Sequence, residues 1–305
     1  METVSRRTFL ERVAAAGTLA AVSPRMFASV STAEPGFRGP LCFFSKHLPR
    51  MDAPGLGRAL KKLGFGGVDL TVRPGGHVDP KRVAQDLPVF VAAIRQEGLT
   101  VPMITTELVS TSDPAARPTL ETAAALQIPY FKPGYYLYTF ADVRKERDAA
   151  GARLRGLADM TARTGMRLGF HNHAGYIGGG IWDIAAVIDT LDSKSVGYYF
   201  DVRHAVVEGG DGGWRSAFNL VAPRLFMIAL KDFFWEKTAT GWRQQNCPLG
   251  DGMVNCGPAS LPLEYEIPGA TPEAREENTL AAAARDLAFV KARLSEAYGL
   301  RGSKP

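Results

Sequence analysis

Two imidazoles stand two residues apart in the run Arg167 to Gly175, RLGFHNHAG. In an extended strand that spacing puts His171 and His173 on one face. A second apolar run, Val196 to Phe200, closes on the carboxylate Asp201 and continues into Val202-Arg203-His204. An unpaired carboxylate at the end of a buried strand is expensive, so Asp201 is expected to have a partner or a task. Glu264 and Glu266 again share one strand face, and Glu107 and Asp232 follow other apolar runs. An imidazole and two carboxylates converging from separate strands suit a divalent ion such as Mn²⁺, Mg²⁺ or Zn²⁺. Such an ion would hold the two adjacent oxygens of a hydroxy-ketone and stabilise the enediolate left when the proton between them is removed. Glu264 is the preferred base, with His171 or Lys231 as the partner acid.

These residues need a scaffold that brings many strand ends together. The chain alternates short apolar runs with helical periodicity. The strands are expected at 41–45, 67–72, 100–105, 130–132, 167–172, 196–201, 225–231 and 260–265. Helices are expected at 53–63, 80–97, 114–126, 141–164, 181–191, 213–221 and 272–297. Eight strands in this alternation predict an α/β fold closed into a (β/α)8 TIM barrel. Between Lys231 and Ser260 no helical periodicity is found, so the helix between strands seven and eight is expected to be missing, leaving a loop or a locally open wall. All five histidines follow or end strands, where a barrel keeps its chemistry. His47, His77, His171, His173 and His204 are therefore expected on one rim. His77, His173, Glu107 and Trp235 are the candidates for substrate contact, with Tyr135, Tyr136, Tyr138 and Trp242 also placed to offer ring faces to a sugar.

Composition sets the class. The 305 residues are 46% hydrophobic and 22% charged, which suits one large domain with a buried core. The formal charge of +5 comes partly from the N-terminus, where Ser5-Arg6-Arg7-Thr8-Phe9-Leu10 is a twin-arginine pattern followed by a short apolar run and small residues. A leader over residues 1–33 is expected, with residues 34–305 as a single domain. Its removal takes away Arg6, Arg7, Arg12, Arg25, Glu2 and Glu11, lowering the charge to +3. The basic residues that remain are scattered, which argues against nucleic acid. The leader's apolar run is shorter than the roughly 20 residues of a membrane span. The expected location is the periplasm or another exported site, reached through the twin-arginine translocase. Cys247 and Cys256 could form a disulfide there or remain thiols, like Cys42.

At these positions the chain resembles the xylose isomerase-like barrel family of sugar (phosphate) isomerases and epimerases. The resemblance runs through nearly all of residues 34–305. It is carried by Phe43-Phe44-Ser45-Lys46-His47-Leu48, Val68-Asp69-Leu70-Thr71-Val72-Arg73, Gly75-Gly76-His77 and Leu263-Glu264-Tyr265-Glu266. It implies one divalent metal, held here by His171, Asp201 and Glu264, with His204 contacting substrate. It also exposes a departure. In Ile228-Ala229-Leu230-Lys231-Asp232, Ala229 stands where the family usually has a ligand histidine, and Lys231 shares its strand face. The expected reaction is proton transfer on a keto-sugar or keto-polyol. A keto-polyol dehydratase of the same fold and a non-catalytic sugar-binding barrel are the alternatives. The partners are a small sugar or polyol, and could include further copies of the chain in a homo-oligomer.

Overall fold

The structure, a computed structural model, describes residues 39–254 and 265–297. The expected leader, Glu264, Cys256 and most of the eighth expected strand lie outside the described residues. Seven strands form one parallel sheet in sequence order: β1 Cys42–Phe44, β2 Gly67–Val72, β3 Thr100–Thr106, β4 Tyr130–Lys132, β5 Arg167–His171, β6 Val196–Asp201 and β7 Leu225–Ala229. Between them run α1 Ala53–Leu63, α2 Val83–Gln96, α3 Ala116–Ala125, α4 Val143–Thr164, α5 Trp182–Ile188 and α6 Val202–Val221. This is the curled wall of a TIM barrel, with each strand's C-terminal end on the same rim. Helix α7, Pro272–Ala297, is the last described element.

The elements form where local chemistry favours them. Asp52 caps α1 by accepting from Gly55 N at 2.8 Å, and Asp142 caps α4 by accepting from Lys145 N. Gly64 ends α1 in the left-handed region, at φ 88°, which costs glycine no Cβ clash. All six residues of β2 and of β6 are buried, as expected for strands covered by helices on one side and by the barrel interior on the other. The core joins Phe43, Leu70, Ile104, Phe131, Leu168 and Phe200 on the strands with helix residues such as Leu56, Leu87 and Leu154. No helix among the described residues is long and apolar enough to cross a membrane.

Two stretches differ from the sequence expectation. Helix α6 begins at Val202, directly at the end of β6, well before the expected Gly213. Its start is hidden in the sequence because the run Gly209-Gly210-Asp211-Gly212-Gly213 reads as a breaker. Gly210 does break the helix, at φ 60° and ψ −162°, but helical turns flank it on both sides.

The second difference is the sector after β7. The expected strand continues to Lys231, but the sheet ends at Ala229 and the chain turns outward into an antiparallel hairpin, β8 Asp232–Thr238 and β9 Gly241–Cys247. No helix occurs over residues 232–254, as the missing periodicity implied, and a ribbon stands in place of the expected loop or opening. Its aromatic residues and the turn Thr238-Ala239-Thr240-Gly241 are hairpin signals.

Asp232, a rim carboxylate by sequence, anchors the hairpin instead. It accepts backbone N–H bonds from Phe233, Gly250, Gly252 and Val254, at 2.8 to 3.1 Å. Asp232→Ala is expected to lower stability by about 2 kcal/mol in urea unfolding, because two buried and two part-buried N–H groups lose their acceptor. An unchanged unfolding midpoint would show that water replaces the carboxylate without loss.

Candidate active site

The strand ends deliver their polar residues to one cavity of about 310 Å³. β5 supplies His171, and His173 follows it on the same face. β6 ends at Asp201, whose Oδ1 accepts from His204 N at 3.0 Å and so caps α6. That cap turns the helix sharply at the strand end and places His204 over the cavity. Register fixes the depth: His171 pairs with Tyr199 and Asp201 with Ala229. Asn172, fully buried between the two histidines, donates to Asp201 O at 2.9 Å and accepts from Asp201 N at 2.7 Å. This two-way bond locks β5 to β6 beneath the cluster.

Lys231, just past β7, returns into the same space. Its Nζ lies 3.0 Å from Asp201 Oδ2 and 3.2 Å from His204 Nε2. Asp201 Oδ2 is also 3.6 Å from His171 Nε2 and 3.7 Å from His204 Nε2. The three donor atoms of His171, Asp201 and His204 all fall within 4.8 Å of one another, a cluster of metal-ligand type. Burial pushes both His171 and His204 well below the usual imidazole range, and the Lys231 charge adds to the effect, so both rings are neutral. Burial lowers His173 to about 4. Burial raises the Asp201 carboxyl, against the pull of the neighbouring ammonium.

The opposite wall carries a second buried pair that sequence reading passed over. Asp69, on β2, accepts from Thr105 Oγ1 at 2.7 Å and from the Tyr199 hydroxyl at 3.3 Å. Burial raises it to about 7. Lys132 ends β4, donates to Pro133 O at 2.9 Å and lies 3.6 Å from the centre of the Tyr135 ring. Burial lowers it to about 7. The available signal for Lys132 was the one that picked out Asp201, an apolar strand stopping at a charge. Arg203 was also missed; it bonds Asn246 of the hairpin at 2.8 Å and approaches His204 Nδ1 at 3.0 Å.

Of the five histidines expected on the rim, His171, His173 and His204 line the cavity. His47 packs edge-on against Phe43 and Phe44. His77 faces inward to Thr71 Oγ1 and Leu48 O, both at 3.1 Å, and fixes the loop after β2. Glu107 is an exposed partner of Arg73 at 3.9 Å. Trp235 stands on the hairpin against Phe233, and neither it nor Trp242 lines the cavity. Tyr135 does, whereas Tyr136 is buried and Tyr138 donates to Asp183 at 2.7 Å. His47, His77 and Glu107, in the loops after β1, β2 and β3, thus take packing, hydrogen-bond and ion-pair partners within those loops and their neighbours. Glu264, expected as ligand and base, lies outside the described residues. Cys42 and Cys247 are buried thiols.

A match to the model of xylose isomerase-like TIM barrels extends over residues 58–292. The chain belongs to that family. Solved structures agree in fold. A xylose isomerase-like TIM barrel protein from Mycobacterium smegmatis, in complex with magnesium, is 17% identical, with 85% of this chain and 97% of that one covered at a TM-score of 0.61. The D-psicose 3-epimerase of Clostridium cellulolyticum H10, solved with D-tagatose, is 12% identical over 84% and 99% of the two chains, at 0.61. A probable 3-DHS dehydratase of Bacillus anthracis is 14% identical over 80% and 98%, at 0.60. At such identities the likeness is one of fold. No curated protein sequence matches significantly.

Family membership implies a divalent ion, and the donor set tests it. A ligand imidazole must offer an open lone pair, and a ligand carboxylate an accessible oxygen. His171 meets the first condition at Nε2. Asp201 does not meet the second: it is wholly buried, absent from the cavity wall, and covered there by Lys231. His204 faces cationic donors at both ring nitrogens, so whichever nitrogen carries its proton, the other's lone pair points at Arg203 or Lys231. Ala229, opposite Asp201, offers no donor. As arranged among the described residues, the cluster does not fit a resident divalent ion.

Proposed function

We propose that the chain moves a proton at a carbon beside the ketone of a keto-sugar or keto-polyol, isomerising or epimerising it through an enediolate. The observation that carries this reading is the convergence of Lys231, His171 and His204 on one barrel-end cavity. Removing such a proton shifts negative charge to the carbonyl oxygen, and a fixed cation at that oxygen lowers the barrier. The lining is suited to that, because among the described residues Lys46, Arg73, Lys132, Arg203 and Lys231 face it against one lining carboxylate, Asp69. His171, kept neutral, is able to pass a proton at Nε2, and Glu264 remains the base chosen from sequence. His173 and Tyr135, whose ring centres are 4.6 Å apart, present faces to the carbon skeleton. The twin-arginine leader supports a role for the folded enzyme outside the cytoplasm.

The test is deuterium wash-in, followed by NMR, with a panel of ketoses and keto-polyols in D2O. Exchange at the carbon next to the ketone is expected for at least one, lowered at least ~10²-fold by Glu264→Gln. A product lighter by one water would identify a dehydratase. Binding without exchange would sink the reaction and leave a sugar-binding barrel.

A further inference from the structure

We infer that the ammonium of Lys231 is this site's built-in cation, holding the place a divalent ion takes in a barrel of this kind and keeping such an ion out. Three separate features of the cluster lead there. Lys231 Nζ stands 3.0 Å from Asp201 Oδ2 and 3.2 Å from His204 Nε2, touching two of the three clustered donor atoms. The carboxylate lies behind the cavity wall formed by Lys231, His171 and His204, and of these the ammonium is nearest to its Oδ2, at 3.0 Å against 3.6 and 3.7 Å for the two imidazoles. And the backbone position opposite Asp201 is Ala229, with no donor atom to replace what the lysine covers.

The exchange has a physical logic. A buried carboxylate needs a positive partner, and either a metal ion or an ammonium supplies it. The two cannot share one carboxylate oxygen at contact distance, because like charges packed in a poorly screened interior repel strongly. With Ala229 offering no donor opposite Asp201 and Lys231 returning to the carboxylate just past the end of β7, the partner here is lysine. The ammonium remains a point charge with N–H bonds to donate, and it faces the cavity where the enediolate oxygen of the proposed reaction would form. The inference rests on that reaction only for what the cation acts on. The exclusion of the ion stands on geometry alone.

Mn²⁺ binding to the purified full chain, followed by calorimetry and by the EPR signal of free Mn²⁺, tests it. The wild type is expected to take up no stoichiometric Mn²⁺ from about 10 μM MnCl2, the upper end of the concentrations at which protein cation sensors fill. Lys231→Met uncovers the three donors and is expected to bind one equivalent at least tenfold more tightly than wild type, with a rise in melting temperature on adding Mn²⁺. His171→Ala in the same background should abolish that gain. Should Lys231→Met fail to fold, Lys231→Gln carries the comparison, since it keeps a polar side chain against Asp201. One tight equivalent in wild type, lost in Asp201→Ala, would overturn the inference. So would the absence of binding in wild type and in the folded lysine variants alike, because Lys231 would then not be what excludes the ion. None of these readouts uses turnover. Failure of deuterium exchange would sink the proposed reaction and leave this result standing, and the reverse holds equally.

Discussion

Asp201→Ala is expected to reduce deuterium exchange on the best ketose at least ~10²-fold and to lower stability by about 3–5 kcal/mol. One carboxylate serves two elements at once. Oδ1 caps α6 through His204 N at 3.0 Å, and Oδ2 holds the Lys231 ammonium at 3.0 Å. Removing it leaves a buried ammonium facing two neutral imidazoles and frees the helix terminus that positions His204. Truncating one partner of a buried pair costs more than the pair contributes, because the remaining charge stays desolvated. Asp201→Asn separates the two duties. Its side-chain oxygen still accepts from His204 N, so most of the cap survives, about 1 kcal/mol by the usual worth of such a residue. The charge is lost, and with it the placement of Lys231. The expected pattern is therefore a large loss of exchange in both variants but a clearly smaller loss of stability in Asp201→Asn. Urea unfolding and the NMR assay read the two quantities separately. Full exchange in Asp201→Asn would remove Lys231 from the reaction.

Why some of this was legible in the sequence, and some not, follows from which forces are local. The strands that end at His171 and Asp201 could be read because buried apolar runs stopping at a charge are one-dimensional patterns. The same holds for α1 and α4, with aspartates at their N-caps and glycines just past their ends. The barrel followed from the alternation of those elements. Asn172 shows the limit. Its neighbours His171 and His173 attract notice, yet its own role, bridging β5 to Asp201, exists only once two strands are paired. His77 errs the other way: its bonds to Thr71 and Leu48 depend on how a loop folds back, which no spacing announces. The hairpin after β7 has neither a helical period nor a clean alternation, since β8 opens on two buried residues and β9 is exposed over its first four, so its strands carry no one-dimensional pattern. Lys231 shared a strand face with Ala229 on paper, but its contact with Asp201 comes from the chain turning out of the sheet at Leu230.

Asp69→Asn is expected to remove a pH dependence from the stability of the whole domain. Asp69 is buried and its carboxyl is raised to about 7, with burial as the main cause. In the unfolded chain it titrates near an ordinary aspartate value of about 3.9. Between those two values the folded state holds a proton that the unfolded state has released, so stability is full below the lower value and is lost as pH rises toward the upper one. The gap between the two values corresponds to about 4 kcal/mol, an order of magnitude for a wholly buried group. Lys132 does not mask this. Burial lowers it to about 7, so its contribution changes in the window above that, where stability grows as the unfolded lysine alone stays protonated. Asparagine keeps an oxygen for the Thr105 hydroxyl and offers N–H to the Tyr199 oxygen, so the packing survives while the titration disappears. Urea unfolding of both proteins at pH 4.5, 6 and 7.5 should show the variant gaining on wild type with each step upward, by a few kcal/mol across the range. Parallel curves would mean that Asp69 is already ionised at low pH and that Lys132 or Arg73 compensates it far more closely than burial opposes it. The sign also bears on the cavity: below neutrality Asp69 adds a neutral O–H donor to its wall, and above neutrality a carboxylate, so the wall facing Lys231 changes charge in the range where the proposed proton transfer would operate.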